Sequence, residues 1–330
     1  MDSGSTARHL QIIDYSVLTD YLGDLLTDIQ RPLAGSDRPT GASPEDIAGL
    51  VFRTISGRRF CYLSRKRSAV YREAMVQAVA KDISSGKPIH FYYDIGGGYH
   101  AGINPNELSP TFAPGLGELL IVRQISSLAQ KIRLFYSEGI RFTLVIDNLC
   151  ALLVNDIPLE KTEAFVAGLR KMLHSLNSPV DIAVLVESEY FSRDDYEREA
   201  HMFMESFPDD NNATANFSRF LGRRCSALEA SKRIAAYEQV SPQTDRNINS
   251  MVDGIRMTQR ATPFTFPFRP FPGSDSRIQT GELALILDER GRCKPTLVTT
   301  ENHDNWRLFE LDHGLKISGD FGSVLVGISE

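Results

Sequence analysis

Cysteine is scarce in this chain. Four thiols, Cys61, Cys150, Cys225 and Cys293, are scattered over 330 residues with no CxxC or similar spacing. That excludes the common zinc modules and gives no disulfide framework. Long apolar runs are missing as well, none approaching the about 18 residues that a membrane span needs. The amino terminus, MDSGSTARHLQ, has neither the basic nor the apolar region of a secretory signal. Positive charge is not in excess: 36 Lys and Arg stand against 42 Asp and Glu, a net charge of −6. The chain therefore carries no electrostatic footprint for nucleic acid or an anionic membrane. Its short basic clusters, Arg65-Lys66-Arg67 and Arg223-Arg224, read as solvated helix faces. No GxGxxG, P-loop or GxSxG motif is present, and there is no internal repeat or low-complexity tract. The expectation is a reduced, cytoplasmic protein without a metal or cofactor, with a homodimer left open.

What is present is an ordinary globular composition, 42% hydrophobic and 24% charged, on a chain long enough to bury a large core. The stretch 87–156 organises the rest. An apolar strand, PIHFYYDI, leads into a glycine-rich bend, GGGYHAGINPNELSP. A long amphipathic helix follows over 115–138, and then a second strand, IRFTLVID, ending on Asp147. Strand, loop, helix and strand form the unit of a parallel sheet, which binds ligands at the carboxyl ends of its strands. Helices are predicted over 16–30, 43–56 and 66–86, the second with Ser43 as N-cap and Pro44 in its first turn. A helix over 159–176 and a strand over 180–186 extend the repeat. The stretch 192–261 reads as helical, divided at PDDNNAT and before Pro242. Strands and a hairpin turning at Asp288-Glu289-Arg290-Gly291 fill the remainder. The fold class expected is α/β: a mostly parallel, Rossmann-like sheet with flanking helices, a helical insertion and a β-rich carboxyl-terminal part. The segments are 1–84 (helical layer), 85–190 (α/β core), 191–261 (helical insertion or cap) and 262–330 (β-rich part completing the same unit).

Several residues invite chemistry. Asp94, Gly97, Gly98, Tyr99 and His100 lie at and after the end of the first strand. The glycines allow a phosphate to approach backbone N–H groups, or a turn that shows Tyr99 and His100 to a ligand, or a tight turn alone. Glu118 falls in the first turn of the long helix, where it is either a dipole partner or an amine ligand. Asp147 at a strand end is a ligand group or a cap, and Asn148 beside it can orient a substrate. Arg269, set among aromatics and prolines in FPFRPFP, suits phosphate or carboxylate; a salt bridge is the competing reading. His303 and His313, with Asp304 and Asp312 nearby, match no metal-ligand spacing.

The ordered set Pro114-Gly115-Leu116-Gly117-Glu118, Tyr136-Ser137-Glu138-Gly139, Ile146-Asp147-Asn148 and Val154-Asn155-Asp156 continues with Met251-Val252-Asp253-Gly254-Ile255-Arg256 and Thr265-Phe266-Pro267-Phe268-Arg269-Pro270. In order and spacing it resembles the pyoverdine/dityrosine biosynthesis family, which includes the isocyanide (isonitrile) synthases, over about residues 85–300. The resemblance implies a transferase or lyase of natural-product assembly, with no metal or redox cofactor. Such an enzyme joins an α-amino acid's amine to a keto-sugar phosphate such as ribulose 5-phosphate. On that basis Glu118 and Asp147 hold the ammonium, His100 serves as acid–base, and Arg269 or Arg123 binds phosphate or carboxylate. The partners implied are small-molecule substrates, with neither nucleic acid nor membrane. One departure stands out: the family's first loop carries a lysine, and here Gly98-Tyr99-His100 replaces it. The alternatives are another small-molecule enzyme on the same scaffold, or a non-catalytic binding protein.

Overall fold

A computed structural model describes residues 15–35, 41–95, 114–155, 157–192, 194, 227–258, 266–270, 282–287, 290–298, 306–311 and 324–329. Leu18, Leu22, Leu25 and Ile29 recur at helical spacing and are all buried along α1 (Tyr15–Gln30). In α2 (Pro44–Ile55), Ser43 is the N-cap that the sequence predicts, and it forms a reciprocal capping box with Asp46, each side chain accepting the other's backbone N–H. The single helix expected over 66–86 is broken. A short α3 (Arg65–Ser68) passes through a 3-10 turn at Ala69–Tyr71 into α4 (Arg72–Ser84). Tertiary packing overrides propensity there: Ser68 is fully buried, and Tyr71 sets its ring edge-on to Phe266 at 6.1 Å. Gly86, at φ +64, then turns the chain into the sheet.

Five strands form the main sheet: β1 (Ile89–Ile95), β2 (Ile140–Ile146), β3 (Asp181–Val186), β4 (Ile255–Thr258) and β5 (Phe266–Pro267). All pairings are parallel, in the order β3-β2-β1-β4-β5. Helix α5 (Leu116–Arg133) connects β1 to β2 and stops short of the expected Glu138. Tyr136 is drawn off the helix instead, its hydroxyl donating to Lys87 O at 2.6 Å, and Gly139, at φ +66, closes the turn. A short α6 (Asn148–Asn155) and then α7 (Leu159–Leu176) lead from β2 to β3.

Two-residue alternation sorts the strand side chains onto two faces. Phe91 and Tyr93 of β1, Phe142 and Leu144 of β2, and Ile255 and Met257 of β4 pack with α1, α2, α4, α5 and α7 in the largest core. Tyr92 and Val145 point the other way, against Ile248 and Val252 at the end of α8 (Ala227–Met251). The structure corrects the sequence reading here twice. Pro242 lies inside α8 and does not divide it. Burial of Val240 before it and of Thr244 and Ile248 after it offsets the about 3 kcal/mol that an interior proline costs. Ile255–Thr258, taken as helical in sequence, is strand β4, inserted between β1 and β5.

Gly254 permits that insertion. A Cβ there would lie 3.0 Å from His90 O and 3.1 Å from the imidazole. His90 Nδ1 lies 2.8 Å from the Asp253 carbonyl, which only accepts, so Nδ1 carries the proton and Nε2 accepts from the Thr143 hydroxyl, also at 2.8 Å. Burial holds this imidazole below its ordinary range. Gly254→Ala is expected to lower stability by about 1–3 kcal/mol through overpacking against His90. A shifted urea midpoint checks it, and an unchanged midpoint contradicts it.

The carboxyl-terminal strands β6 (Glu282–Leu287), β7 (Cys293–Val298), β8 (Trp306–Leu311) and β9 (Val324–Ser329) form a second sheet in the order β7-β6-β9-β8. The β6–β7 and β8–β9 pairs are antiparallel, β6–β9 is parallel, and Gly291 at φ +69 lies in the predicted hairpin turn. Leu285 and Leu287 of β6 join the main core.

Candidate active site at the carboxyl rim of the sheet

Strand order reverses at β1, from which the chain builds the sheet outward through β2 and β3 on one side and through β4 and β5 on the other. A ligand crevice in an open parallel sheet falls outside the carboxyl ends at this switch point. Alternation puts four ionisable residues on the α8 side of that end. Asp94 follows Tyr92 on β1, Asp147 follows Val145 on β2, Glu187 follows Leu185 on β3, and Arg256 sits between Ile255 and Met257 on β4. The register Ile146↔Val186 makes Asp147 and Glu187 neighbours one step past the last paired residues.

Arg256 is only 8% exposed and holds two elements together. Its Nε and Nη2 donate to the two Asp94 carboxylate oxygens at 3.1 Å each, and Nη2 also reaches Asp245 of α8 at 2.8 Å. Burial alone would lower the guanidinium's pKa; the flanking carboxylates of Asp94 and Asp245 more than reverse this, so the group stays charged. Beside it Tyr92 donates its hydroxyl to Asn249 Oδ1 of α8 at 2.7 Å, and burial raises the phenol to about 12.

Among the described residues no cation forms an ion pair with Asp147 as Arg256 does with Asp94. The Asp147 carbonyl accepts from Ala151 N–H at 3.0 Å as α6 begins. Its carboxylate Oδ1 is enclosed and finds no hydrogen-bond partner among the described residues, although the residue as a whole is partly exposed. Burial first, then the carboxylates of Glu187 and Asp94, push its pKa well above the usual range. Asn148 and Ser188 lock the two turns: Asn148 Nδ2 donates to Ser188 Oγ at 2.8 Å, and Ser188 N donates to Asn148 Oδ1 at 3.1 Å. Glu187 between them is fully buried.

Of the residues singled out in sequence, Asp94, Asp147 and Asn148 come together on this rim. Arg269 lies at its other end, two residues beyond Pro267 of β5. Its guanidinium sits 5.0 Å over the Tyr62 ring, its backbone N donates to Phe60 O at 2.8 Å, and its carbonyl accepts from Gln124 at 3.0 Å. Glu118 and Arg123 belong to the α5 layer on the opposite face. Glu118 is 3% exposed, and its Oε2 accepts Gly115 N–H at 2.7 Å, the dipole and capping role. Arg123 donates from Nε and Nη2 to Asp28 of α1, at 2.9 and 2.6 Å, which ties α1 to α5. Gly97, Gly98, Tyr99 and His100 lie outside the described residues.

Sequence reading did not single out Glu187, Arg256 and Asp245 as site residues. Glu187 had an available signal, because it ends IAVLV as Asp147 ends FTLVI. Arg256 was hidden by the helical reading of its segment. Among the described residues no group of three or more His, Cys, Asp or Glu is arranged to hold a metal ion. Nor is any described helix long and apolar enough to cross a membrane. A separate groove of about 260 Å³, lined by Arg170, His174, Ile182 and Val184 among others, lies between α7 and β3, away from the rim.

The site therefore belongs to an open, parallel α/β sheet of Rossmann-like type, with its ionisable residues at the carboxyl ends of the strands. Among solved structures, the PvcA protein from Pseudomonas aeruginosa has this fold, with a TM-score of 0.61 and 17% identity over 85% of this chain and 99% of that one. Tyrosyl-tRNA synthetase complexed with L-tyrosine from Archaeoglobus fulgidus aligns at a TM-score of 0.31 and 10% identity, over 67% of this chain and 62% of that one, too distant to carry an argument. No family model matches the chain, and no curated protein sequence does.

Proposed function

We propose that the chain is a biosynthetic enzyme of isocyanide-synthase type that condenses the amine of an α-amino acid with a keto-sugar phosphate. The observation that carries this reading is the polarity of the rim. Asp94, Asp147 and Glu187 make its β1–β2–β3 half acidic, and Arg269 stands beyond β5. Between β2 and β5 lie three strand spacings, roughly 14 Å at about 4.8 Å each. One amino acid cannot reach both ends, since its ammonium and carboxylate are adjacent. The layout suits two substrates, an amine at the acidic half and a second molecule whose anionic group meets Arg269. PvcA, which shares the fold, is a member of the pyoverdine/dityrosine biosynthesis family, the family that the ordered sequence motifs resemble.

In this reading the amine sits against Asp147 and Glu187, with Asp94 fixed beside them by Arg256. Asn148 holds the β2 turn in place, and Arg269 receives the phosphate. His100, between β1 and α5 in the sequence, serves as acid–base, a role suited to an imidazole near pH 6.5. Gly97, Gly98 and Tyr99 complete the amine side. Incubation of the protein with α-amino acids and ribulose 5-phosphate, followed by mass spectrometry, tests the reading. A new product mass that depends on both compounds is expected; unchanged masses for every pair contradict it. Loss of the family's lysine favours a second reading, a different carbonyl partner on the same rim, which the same assay detects as turnover with another keto compound.

A further inference from the structure

Arg256 of β4 keeps one of its nitrogens uncommitted. Nε and Nη2 hold the two Asp94 oxygens at 3.1 Å each, and Nη2 also reaches Asp245 at 2.8 Å. Nη1, which carries two N–H donors, has no partner among the described residues. The side chain is only 8% exposed, and a buried donor left without an acceptor costs free energy. In a planar guanidinium the second N–H of Nη2 points to the edge that Nη1 shares. Asp245 therefore marks that edge, and at 48% exposure it shows that the edge is reached from solvent. Asp94 draws the guanidinium from β4 towards β1, the strand beside β2. Adjacent strands are about 4.8 Å apart, and each charge-assisted hydrogen bond adds about 2.8 Å. The neighbouring ammonium and carboxylate of one α-amino acid thus reach from Asp147 on β2 to this guanidinium. Burial leads the influences that raise the Asp147 pKa, and the charge of Arg256 acts against them.

We propose that Nη1 of Arg256 receives the α-carboxylate of the amino acid whose amine sits at Asp147. The site then takes free α-amino acids and discriminates against those whose carboxyl group is missing or carried as an amide, ester or thioester. The inference rests on the amine site proposed above and adds the group that recognises the acid end of the same molecule. Arg269 is left to the anion of the second substrate. Asp94 orients the guanidinium through its paired contact and leaves Nη1 turned outward. A neutral acceptor such as an amide oxygen fits Nη1 less well, because hydrogen bonds between two charged groups are about twice as strong. Asp245 is the anion already on that edge, so it competes with the incoming carboxylate. That competition fixes the sign of a second variant.

The test is titration calorimetry of the full chain at neutral pH. The probes are the common L-amino acids, each set against its amide and against the amine left when its carboxylate is removed. At least one amino acid should bind, with its amide and amine each about 10-fold or more weaker, the loss expected for a hydrogen bond to a charged group. Arg256→Gln should erase most of that gap. Asp245→Asn should tighten the amino acid about 2–5-fold, the size of a partly exposed charge interaction, and widen its gap over the amine. Equal affinities in the native chain overturn the assignment. So does a gap that Arg256→Gln leaves intact, or one that Arg269→Gln abolishes. Should Arg256→Gln fail to fold, Asp245→Asn decides, and a gap that it narrows or leaves unchanged overturns the assignment. Binding needs no turnover, so the outcomes separate. Equal affinities remove the role of Arg256 and leave the condensation reading standing, whereas a gap without any condensation product does the reverse. Failure of every probe to bind removes the amine site and this inference together.

Discussion

Asp147→Asn is expected to make the protein more stable at neutral pH and to abolish the condensation proposed for it. The carboxyl of Asp147 is enclosed, faces Glu187 and Asp94, and has its pKa raised well above the ordinary 3.8. An acid whose pKa is raised by folding supports the fold below its unfolded value, and that support is lost as pH rises through the folded value. At neutral pH the unfolded chain ionises Asp147 freely while the folded chain resists it, so the native residue costs stability there. Asparagine keeps the shape and removes the charge. The gain should be about 1–2 kcal/mol, the size recovered when a functional buried charge is removed. Such a gain amounts to roughly 2–4 °C in Tm for each kcal/mol. It should vanish below about pH 4, where the acid is protonated in both states. Thermal unfolding of both proteins at pH 7.5 and at pH 3.5 reads it directly. A variant less stable than the native chain at pH 7.5 would mean that Asp147 is held by a cation, and the acidic half of the rim would lose its meaning.

Arg256→Ala should have the opposite sign and a larger size. The guanidinium pairs with both Asp94 and Asp245, and its side chain is 8% exposed. Removing one member of a buried charged network leaves the rest uncompensated, at a cost of about 3–5 kcal/mol. Asp94 is 21% and Asp245 48% exposed, so water screens part of that loss and about 2–4 kcal/mol is expected. Arg256→Lys should recover little, because an ammonium cannot reproduce the paired donation to both Asp94 oxygens. Adding Asp94→Asn to Arg256→Ala should restore part of the lost stability by removing the stranded charge. Urea unfolding of the four proteins checks this. A single variant within about 0.5 kcal/mol of the native chain would show that the network is not holding α8 to the sheet.

The sheet was legible because its strands are apolar on both faces and are separated by amphipathic helices. PIHFYYDI, IRFTLVI and IAVLV became β1, β2 and β3 with boundaries moved by a residue at most. Asp147 was recognisable because a carboxylate after such a strand must emerge at the rim. What failed were decisions that only tertiary contacts make. Ile255–Thr258 is too short to show a strand period, and it is a strand because β1 and β5 flank it and Gly254 lets it approach His90. With that segment misread, Arg256 could not be placed, and the network joining Asp94 to Asp245 stayed out of sight. Pro242 argued for a break in α8 that packing on both sides of it overrides. The contacts of Glu118 with Gly115 N–H and of Arg123 with Asp28 likewise needed the fold to be seen.

The central claim is that an amine binds on the α8 side of the carboxyl rim, and a structure with ligand addresses it most directly. Crystals soaked with an α-amino acid and inorganic phosphate should show the amine nitrogen within hydrogen-bonding reach of Asp147 Oδ1 and phosphate at Arg269. Density in the α7–β3 groove beside Arg170 and His174, with the rim left vacant, would contradict the account.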